Sequence, residues 1–350
     1  MVISRFACVL SCAGVCTLLF VASASAGVPT SIIPEGTKWE ELSRAGKVFG
    51  EGVVAAKDGR VYLSDITTTA KPEDNPGGTI FCFDPTTGAV TKHMEPSGMS
   101  AGLHVDKSGA MWIAQTANPK GARRLIRQDL ATGAITEVAA TYRGKRLNNP
   151  NDITSDPRGR IYFTDAVYFV RDAMELPNAV YRVDLDGRLT QISRDILRPN
   201  GIEVSPDGKH LYVAATNAPI LVANPHGPAQ DRFGIANGGV VMYDLDQNGA
   251  VSNGRVIYRN DSLVVDGMAL DTEGNLYLAQ HDGNRQSPKS KLTVINPVGK
   301  VLGTIPLTSG MGLTTNVGFG RGADANSLYV ATGAPWGLFR IKTAKRGHYF

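Results

Sequence analysis

The sequence predicts an all-β fold: a six-bladed β-propeller, four antiparallel strands per blade, its ring closed by an N-terminal strand. Three observations lead there. A tight turn followed by an aromatic-aliphatic strand recurs six times, as DGRVYLSD (58–65), SGAMWIAQ (108–115), RGRIYFTD (158–165), DGKHLYVAA (207–215), EGNLYLAQ (273–280) and ANSLYVAT (325–332). Each copy is preceded by a short apolar run and followed by a further strand and a second turn, as in IFCFDPTTG, VYRVDLDG and VVMYDLDQNG. The copies start 50, 50, 49, 66 and 52 residues apart, with no amphipathic helix of useful length between them. Repeated four-stranded units at this period are propeller blades.

The first 26 residues stand apart. Arg5 is followed by an apolar run from Phe6 to Val21 and then by Ala24-Ser25-Ala26. This is the order of a secretory signal cut after Ala26, leaving 27–350 as one propeller domain in the periplasm or outside the cell. The run is short for a membrane anchor, and no other segment is long enough to span a bilayer. Cys8, Cys12 and Cys16 lie inside the signal, so Cys82 is the one thiol of the mature chain and no internal disulfide forms. In the run TIFCF it reads as a small core hydrophobe. With 42% hydrophobic residues, 39 glycines and 19 prolines the chain is globular and turn-rich. Its net charge of +4, without a Lys/Arg run, gives no ground for a nucleic-acid partner.

The segment TKWEELS (37–43) matches fourth-strand pieces such as GAITEVA, and the sixth unit has no room for its own fourth strand before Phe350. It is therefore expected to join the last blade, which removes an open sheet edge.

Aligned on the turn glycine, one column opens the innermost strand of every unit: Glu51, Ala101, Asn151, Asn200, Asp266 and, in the less regular sixth unit, Asn316. Singly, PND, PNG and VDG are good turn sequences. Together these positions converge on one axis. Two carboxylates and two or three amide oxygens in one channel repel and are poorly solvated without a cation. With one they form a hard, all-oxygen site that suits Ca²⁺, with Mg²⁺, Mn²⁺ or Zn²⁺ as alternatives. No Cys or His in the column argues against a structural zinc site. The first two strands of each unit are antiparallel, so the long loops 66–78, 116–123, 166–178, 216–238 and 281–290 share a face with the column and can cover a pocket.

These motifs resemble the gluconolactonase/regucalcin (senescence marker protein) family: GEGVV at Glu51, NPNDITSDPRGRIYFTD at Asn151, RPNGIEVSPDGKHLYVA at Asn200 and VDGMALDTEGNLYLA at Asp266. The likeness covers essentially the whole mature chain. It implies metal ligation by Glu51, Asn200 and Asp266, with Asn151 a further ligand or a substrate contact. It also implies hydrolysis of a lactone, the cation polarising the carbonyl and Asp266 acting as base or nucleophile. Family members often carry Arg two residues before the ND asparagine, where this chain has Asn149, and TDPPYG where it has TDAVYF (164–169). Both departures bear on the substrate.

Asn149, Asn151, Tyr168 and His281 are the candidate substrate contacts. Tyr168 and Phe169 suggest an apolar lid, or else loop packing. His281 is an acid/base or supporting group, or an exposed loop histidine. His104 can face the channel, Asp152 is a turn or supporting acceptor, and Asp65 and Asp165 end strands near the same face. The resulting expectation is an exported, metal-dependent lactone hydrolase with a small-molecule substrate. Alternatives are a non-catalytic, ligand- or partner-binding propeller with a structural cation, and an organophosphate-type hydrolase at the same site.

Overall fold

The computed structural model describes residues 27–46, 49–66, 76–168, 174–217, 231–284 and 289–350. Residues 1–26, Phe169 and much of the long loops lie outside these. Six four-stranded antiparallel sheets follow one another along the chain, with a short hairpin, Thr141–Tyr142 and Lys145–Arg146, between the second and third. Their inner strands are Gly50–Ala55, Ser100–Val105, Pro150–Ser155, Pro199–Val204, Val264–Leu270 and Leu313–Phe319. Each packs beside the next around one axis, and the sixth returns to the first. The one helical piece among the described residues is a 3₁₀ turn, Gly322–Asp324.

The ring closes as expected. Glu40–Ser43 supplies the outer strand of blade 6, with Glu40 opposite Arg340 and their side chains 2.7 Å apart. Both ends of the chain therefore share one sheet, which leaves no gap in the ring.

The repeated second strand has a physical reason. Its aromatic residue (Tyr62, Trp112, Tyr162, Tyr212, Tyr277 or Tyr329) is buried between blades. In four blades its polar tip reaches an aspartate of the preceding turn: Trp112 donates to Asp106 (2.8 Å), Tyr162 to Asp156 (3.0 Å), Tyr277 to Asp271 (3.3 Å) and Tyr329 to Asp324. The other oxygen of Asp156 accepts the Arg158 and Arg160 backbone N–H groups, at 2.9 and 3.1 Å. One carboxylate thus holds both the turn and the buried ring, which is why aspartate, glycine and aromatic recur at fixed spacing.

Each blade buries both faces. Phe163 and Tyr181 of blade 3 pack against Trp112 and Leu125 of blade 2, whereas Tyr162 and Val180 pack against Val204 and Val213 of blade 4. Strands such as Ile161–Asp165 are accordingly buried at every position, without a polar/apolar alternation. Cys82 lies in the cluster between blades 1 and 2, as a small hydrophobe.

Strand register corrects one assignment. The residue five before the first turn hydrogen bond is Glu51, Ala101, Asn151, Asn200 and Asp266 in blades 1–5, but Thr315 in blade 6. Asn316 stands one place further on, level with Asp152. The last turn spans Gly320 to Ser327 and contains the 3₁₀ piece, so counting from its glycine displaces the column by one.

The Asp156→Ala variant should lose about 3–5 kcal/mol of unfolding free energy, because Arg160 (2.6 Å away) and Tyr162 both lose a buried partner. Asp58→Ala, at an exposed turn with its own arginine pair, should lose under about 1 kcal/mol in the same denaturant titration.

Candidate active site

Every inner strand carries a bulge at the column. Register slips between Gly50 and Val53, Ser100 and Leu103, Pro150 and Ile153, Pro199 and Ile202, Val265 and Met268, and Thr314 and Asn316. A bulge sets two residues against one on the partner strand and re-aims a side chain. The second bulge residue is glycine in four blades, at Gly52, Gly102, Gly201 and Gly267. A Cβ on Gly201 would stand 2.5 Å from the Asp266 carbonyl oxygen, and those on Gly52 and Gly102 would run into the backbone of the next blade. Backbone meets backbone around the axis at this level, so the glycine is sterically required.

The ring holds Glu51, Asn151, Asn200 and Asp266, all buried. Among the described residues, the side chains of Glu51, Asn151 and Asn200 receive no hydrogen bond from protein. Asp266 receives one, from His281. Burial first, then the charges of Asp266 and Asp152, push the Glu51 carboxyl well above its ordinary range, and no basic side chain offsets this. Buried oxygen donors with like charges and no counter-charge are a set that a hard divalent cation completes. No group of three or more His, Cys, Asp and Glu side chains converges among the described residues. The ring has only two carboxylates and depends on amide oxygens, unlike a thiolate or imidazole zinc site.

The residues around the ring are held by their neighbours. Asp65 accepts the Phe49 N–H at 3.1 Å; Asp165 accepts the Asn148 N–H at 2.9 Å and that of Asn149 as well. Burial raises the Asp165 carboxyl to about 6 against these bonds. The two aspartates, placed by the sequence near this face, anchor the segments that enter the inner strands. The Asn149 amide is committed at both ends: its oxygen accepts the Ala117 N–H (2.7 Å) and its nitrogen donates to Ala166 O (2.9 Å). It ties the loops of blades 2 and 3. Tyr168 is buried, and its hydroxyl donates to Pro199 O at 2.7 Å, bridging blades 3 and 4. Burial and the carboxylates Asp266 and Glu51 keep that phenol protonated.

His281 ends the second strand of blade 5, opposite Val264. Its Nε2 lies 3.1 Å from Asp266 Oδ2, and the Gly283 N–H donates to its Nδ1 at 3.0 Å. The ring is buried rather than exposed. Arg198, also buried and beside Tyr168, was not singled out by the sequence; its one signal was its place two residues before Asn200, matching Asn149 before Asn151.

Below the ring the channel continues. Asp152 Oδ1 accepts the Ile153 N–H at 3.0 Å, and Asn316 Oδ1 accepts the Val317 N–H at 2.8 Å. These equivalent residues of opposite blades meet across the axis, where the others have glycine. Burial raises Asp152 to about 7, against the Ile153 N–H, and with the Asp266 charge adding to the rise. Beyond them is a cavity of about 60 Å³ lined by His104, Glu203, His348, Tyr349 and Phe350 among others. His104 faces the channel, as the sequence suggested, with Nε2 2.9 Å from Ser155 Oγ, and burial lowers it to about 4. Thr154 Oγ1 donates to Glu203 at 3.0 Å, and burial, with the Asp152 charge, raises Glu203 to about 8.

The far end is capped by the C-terminal segment. The His348 N–H donates to Leu270 O (2.9 Å), the Tyr349 hydroxyl donates to Phe319 O, and the Arg321 guanidinium sits 3.7 Å above the Tyr349 ring. A concavity at Tyr142, Arg182 and Arg188 lies on the outer strands and takes no part in this arrangement.

With the ring described, comparison with known proteins decides the family. The SMP-30/Gluconolactonase/LRE-like region matches residues 49–232 and 235–334. The chain belongs to that family. The chain is similar to the gluconolactonase of Zymomonas mobilis, 29% identical over 321 residues that span 85% of this chain and 80% of that protein. A gluconolactonase of Xanthomonas campestris shares the fold with a TM-score of 0.70, at 22% identity over 91% of this chain and 94% of that one. Regucalcin of Agrobacterium tumefaciens, described as a calcium-binding protein, superposes with a TM-score of 0.64 at 20% identity, over 88% and 95% of the two chains. The family resemblance of the four motifs and the six-bladed fold are both borne out.

Gly201→Ala should disturb the ring without touching a donor, costing about 1–3 kcal/mol from overpacking in a denaturant titration. Glu203 gives a pH signature. Its folded value of about 8 lies above its ordinary 4.5, so its contribution is complete below pH 4.5 and lost as pH rises through 8. In Glu203→Gln the unfolding midpoint should fall less than wild type across that window. Asp152 and Asp165 keep the remaining slope at the same sign.

Proposed function

We propose that this chain is an exported, divalent-cation-dependent hydrolase that opens a lactone ring, with Ca²⁺ as the cation. The observation that carries this reading is the ring of Glu51, Asn151, Asn200 and Asp266: buried oxygen donors, two of them carboxylates, the Glu51 carboxyl pushed up by burial and by the charges of Asp266 and Asp152. Relatives named gluconolactonase and pentonolactonase supply the substrate class, and those named regucalcin support the divalent cation. Export rests on the apolar run and Ala24-Ser25-Ala26 at the N-terminus.

Glu51, Asn200 and Asp266 would hold the cation, with Asn151 completing the set or contacting the substrate. When bound, the cation polarises the lactone carbonyl and stabilises the charge that develops on its oxygen. Asp266 acts as base, taking the proton of the attacking water, or as nucleophile at the carbonyl carbon. As base it lets the water oxygen bond to that carbon while the ring C–O bond breaks and the alkoxide leaving group takes up a proton. Tyr168, buried at the edge of the ring with its hydroxyl tied to Pro199, is an apolar wall at the substrate side. Asn149 braces that wall from blade 3.

Metal-stripped mature protein should be inactive on a lactone panel and regain turnover with Ca²⁺. Glu51→Gln and Asp266→Asn should each lower kcat/KM at least about 100-fold. Tight cation binding without turnover on lactones, aryl esters or phosphotriesters would make the protein a binding propeller. Faster turnover of phosphotriesters than of lactones would make it an organophosphate-type hydrolase.

A further inference from the structure

We infer that His281 is a positioning residue for Asp266, and that it neither contacts substrate nor transfers a proton in the reaction. The inference rests on the cation-dependent reading above. Its evidence is the wiring of one imidazole. The Gly283 N–H donates to Nδ1 at 3.0 Å, and a nitrogen that accepts a hydrogen bond carries no proton. The proton of the neutral ring is therefore on Nε2, which lies 3.1 Å from Asp266 Oδ2 and donates to it. Both nitrogens are spent on protein, and none is left to meet a substrate or an attacking water.

The consequence falls on Asp266. Oδ2 is held by the imidazole, so the carboxylate has one rotational setting. Among the described residues its other oxygen has no hydrogen-bond partner, which leaves Oδ1 as the atom available to a cation in the ring. The backbone supports the same geometry from both sides. The bulge at 266–267 turns Asp266 out of the pleat, and the pairing of Val264 with His281 brings the imidazole level with it. The Gly283 N–H, two residues beyond the histidine in the turn that follows the strand, points back at the imidazole. A ligand oxygen held from behind by a neutral histidine loses less freedom when the cation binds.

Two substitutions separate the roles of the two nitrogens. His281→Gln can place an amide N–H where Nε2–H stood and keep the bond to Asp266. His281→Asn can place an amide oxygen where Nδ1 stood and keep the bond from Gly283, but it is too short to reach Asp266. Calorimetric titration of metal-stripped protein with Ca²⁺ should give His281→Gln an affinity within about 3-fold of wild type. His281→Asn should be weaker by about 10- to 100-fold. At saturating Ca²⁺, His281→Asn should lower kcat on a lactone while leaving KM within 2-fold.

Three results would overturn the inference: both variants binding Ca²⁺ as wild type does, both weakened alike, or a raised KM with Ca²⁺ affinity and kcat unchanged. The last would make His281 a substrate contact. A wild-type protein that binds no divalent cation at all would overturn the metal reading first, and this inference with it. If His281→Asn fails to fold, Asp266→Glu decides the matter. Its longer carboxylate cannot keep both the imidazole and the ring position, so it should lose affinity by a similar factor, and wild-type affinity there would overturn the inference.

Discussion

Six inner strands reach one axis, and at one level they meet through backbone, or through the Asn316 side chain where blade 5 meets blade 6. The rest of the site depends on this contact. Gly52, Gly102, Gly201 and Gly267 have no room for a Cβ because the next strand's backbone or side chain already occupies the space. The preceding residue in each bulge occupies the equivalent place in the ring: Glu51, Asn151, Asn200 and Asp266 carry carboxylate or amide oxygens, whereas Ala101 has none and the Thr315 hydroxyl is bonded to Gly50 O and Ala331 O. The fold supplies a ring of equivalent positions, and the sequence decides which of them carry charge.

The charge has a cost, and the structure shows how the protein bears it. Glu51, Asp266 and Asp152 lie close together in a desolvated channel, and the charges of Asp266 and Asp152 add to the rise of the Glu51 carboxyl. Arg198, buried near this site, interacts with Tyr168. Such an arrangement opposes folding unless a proton or a cation compensates. Lower in the channel burial raises both carboxyls and favours their protonated forms, Asp152 to about 7 and Glu203 to about 8. A divalent cation in the proposed site would offset the ring's charge and would also engage the amide oxygens of Asn151 and Asn200.

Around the ring, polar side chains serve the backbone more than they serve a ligand. Asp65 and Asp165 hold the entering segments, Asn149 joins two loops, and Tyr168 bridges two blades. The substrate side is therefore rigid where it is described. On the opposite side, Tyr349 under Arg321 caps the channel beside the cavity.

Much of this was legible in the sequence, and the parts that were not share a cause. The six turn-and-aromatic copies determined blade number, because each blade buries an aromatic of its second strand between blades just after a tight turn, and in four blades one aspartate holds both. The strand closing blade 6, Glu40–Ser43, was legible for a similar reason: its pattern matched the other outer strands. So was the column through Glu51, Asn151, Asn200 and Asp266, since equivalent positions in a closed ring must meet. The sixth member was misplaced by one residue, as the irregular last turn hides the register that puts Thr315, and not Asn316, in line. The pairing of Asp152 with Asn316 across the axis, the placing of Glu203 below them and the capping by Tyr349 could not be read, because they join residues more than a hundred positions apart or chain segments with no repeat. The commitment of both His281 nitrogens was equally hidden. A sequence shows which groups can donate or accept, and only the tertiary structure decides which partner stands within 3 Å.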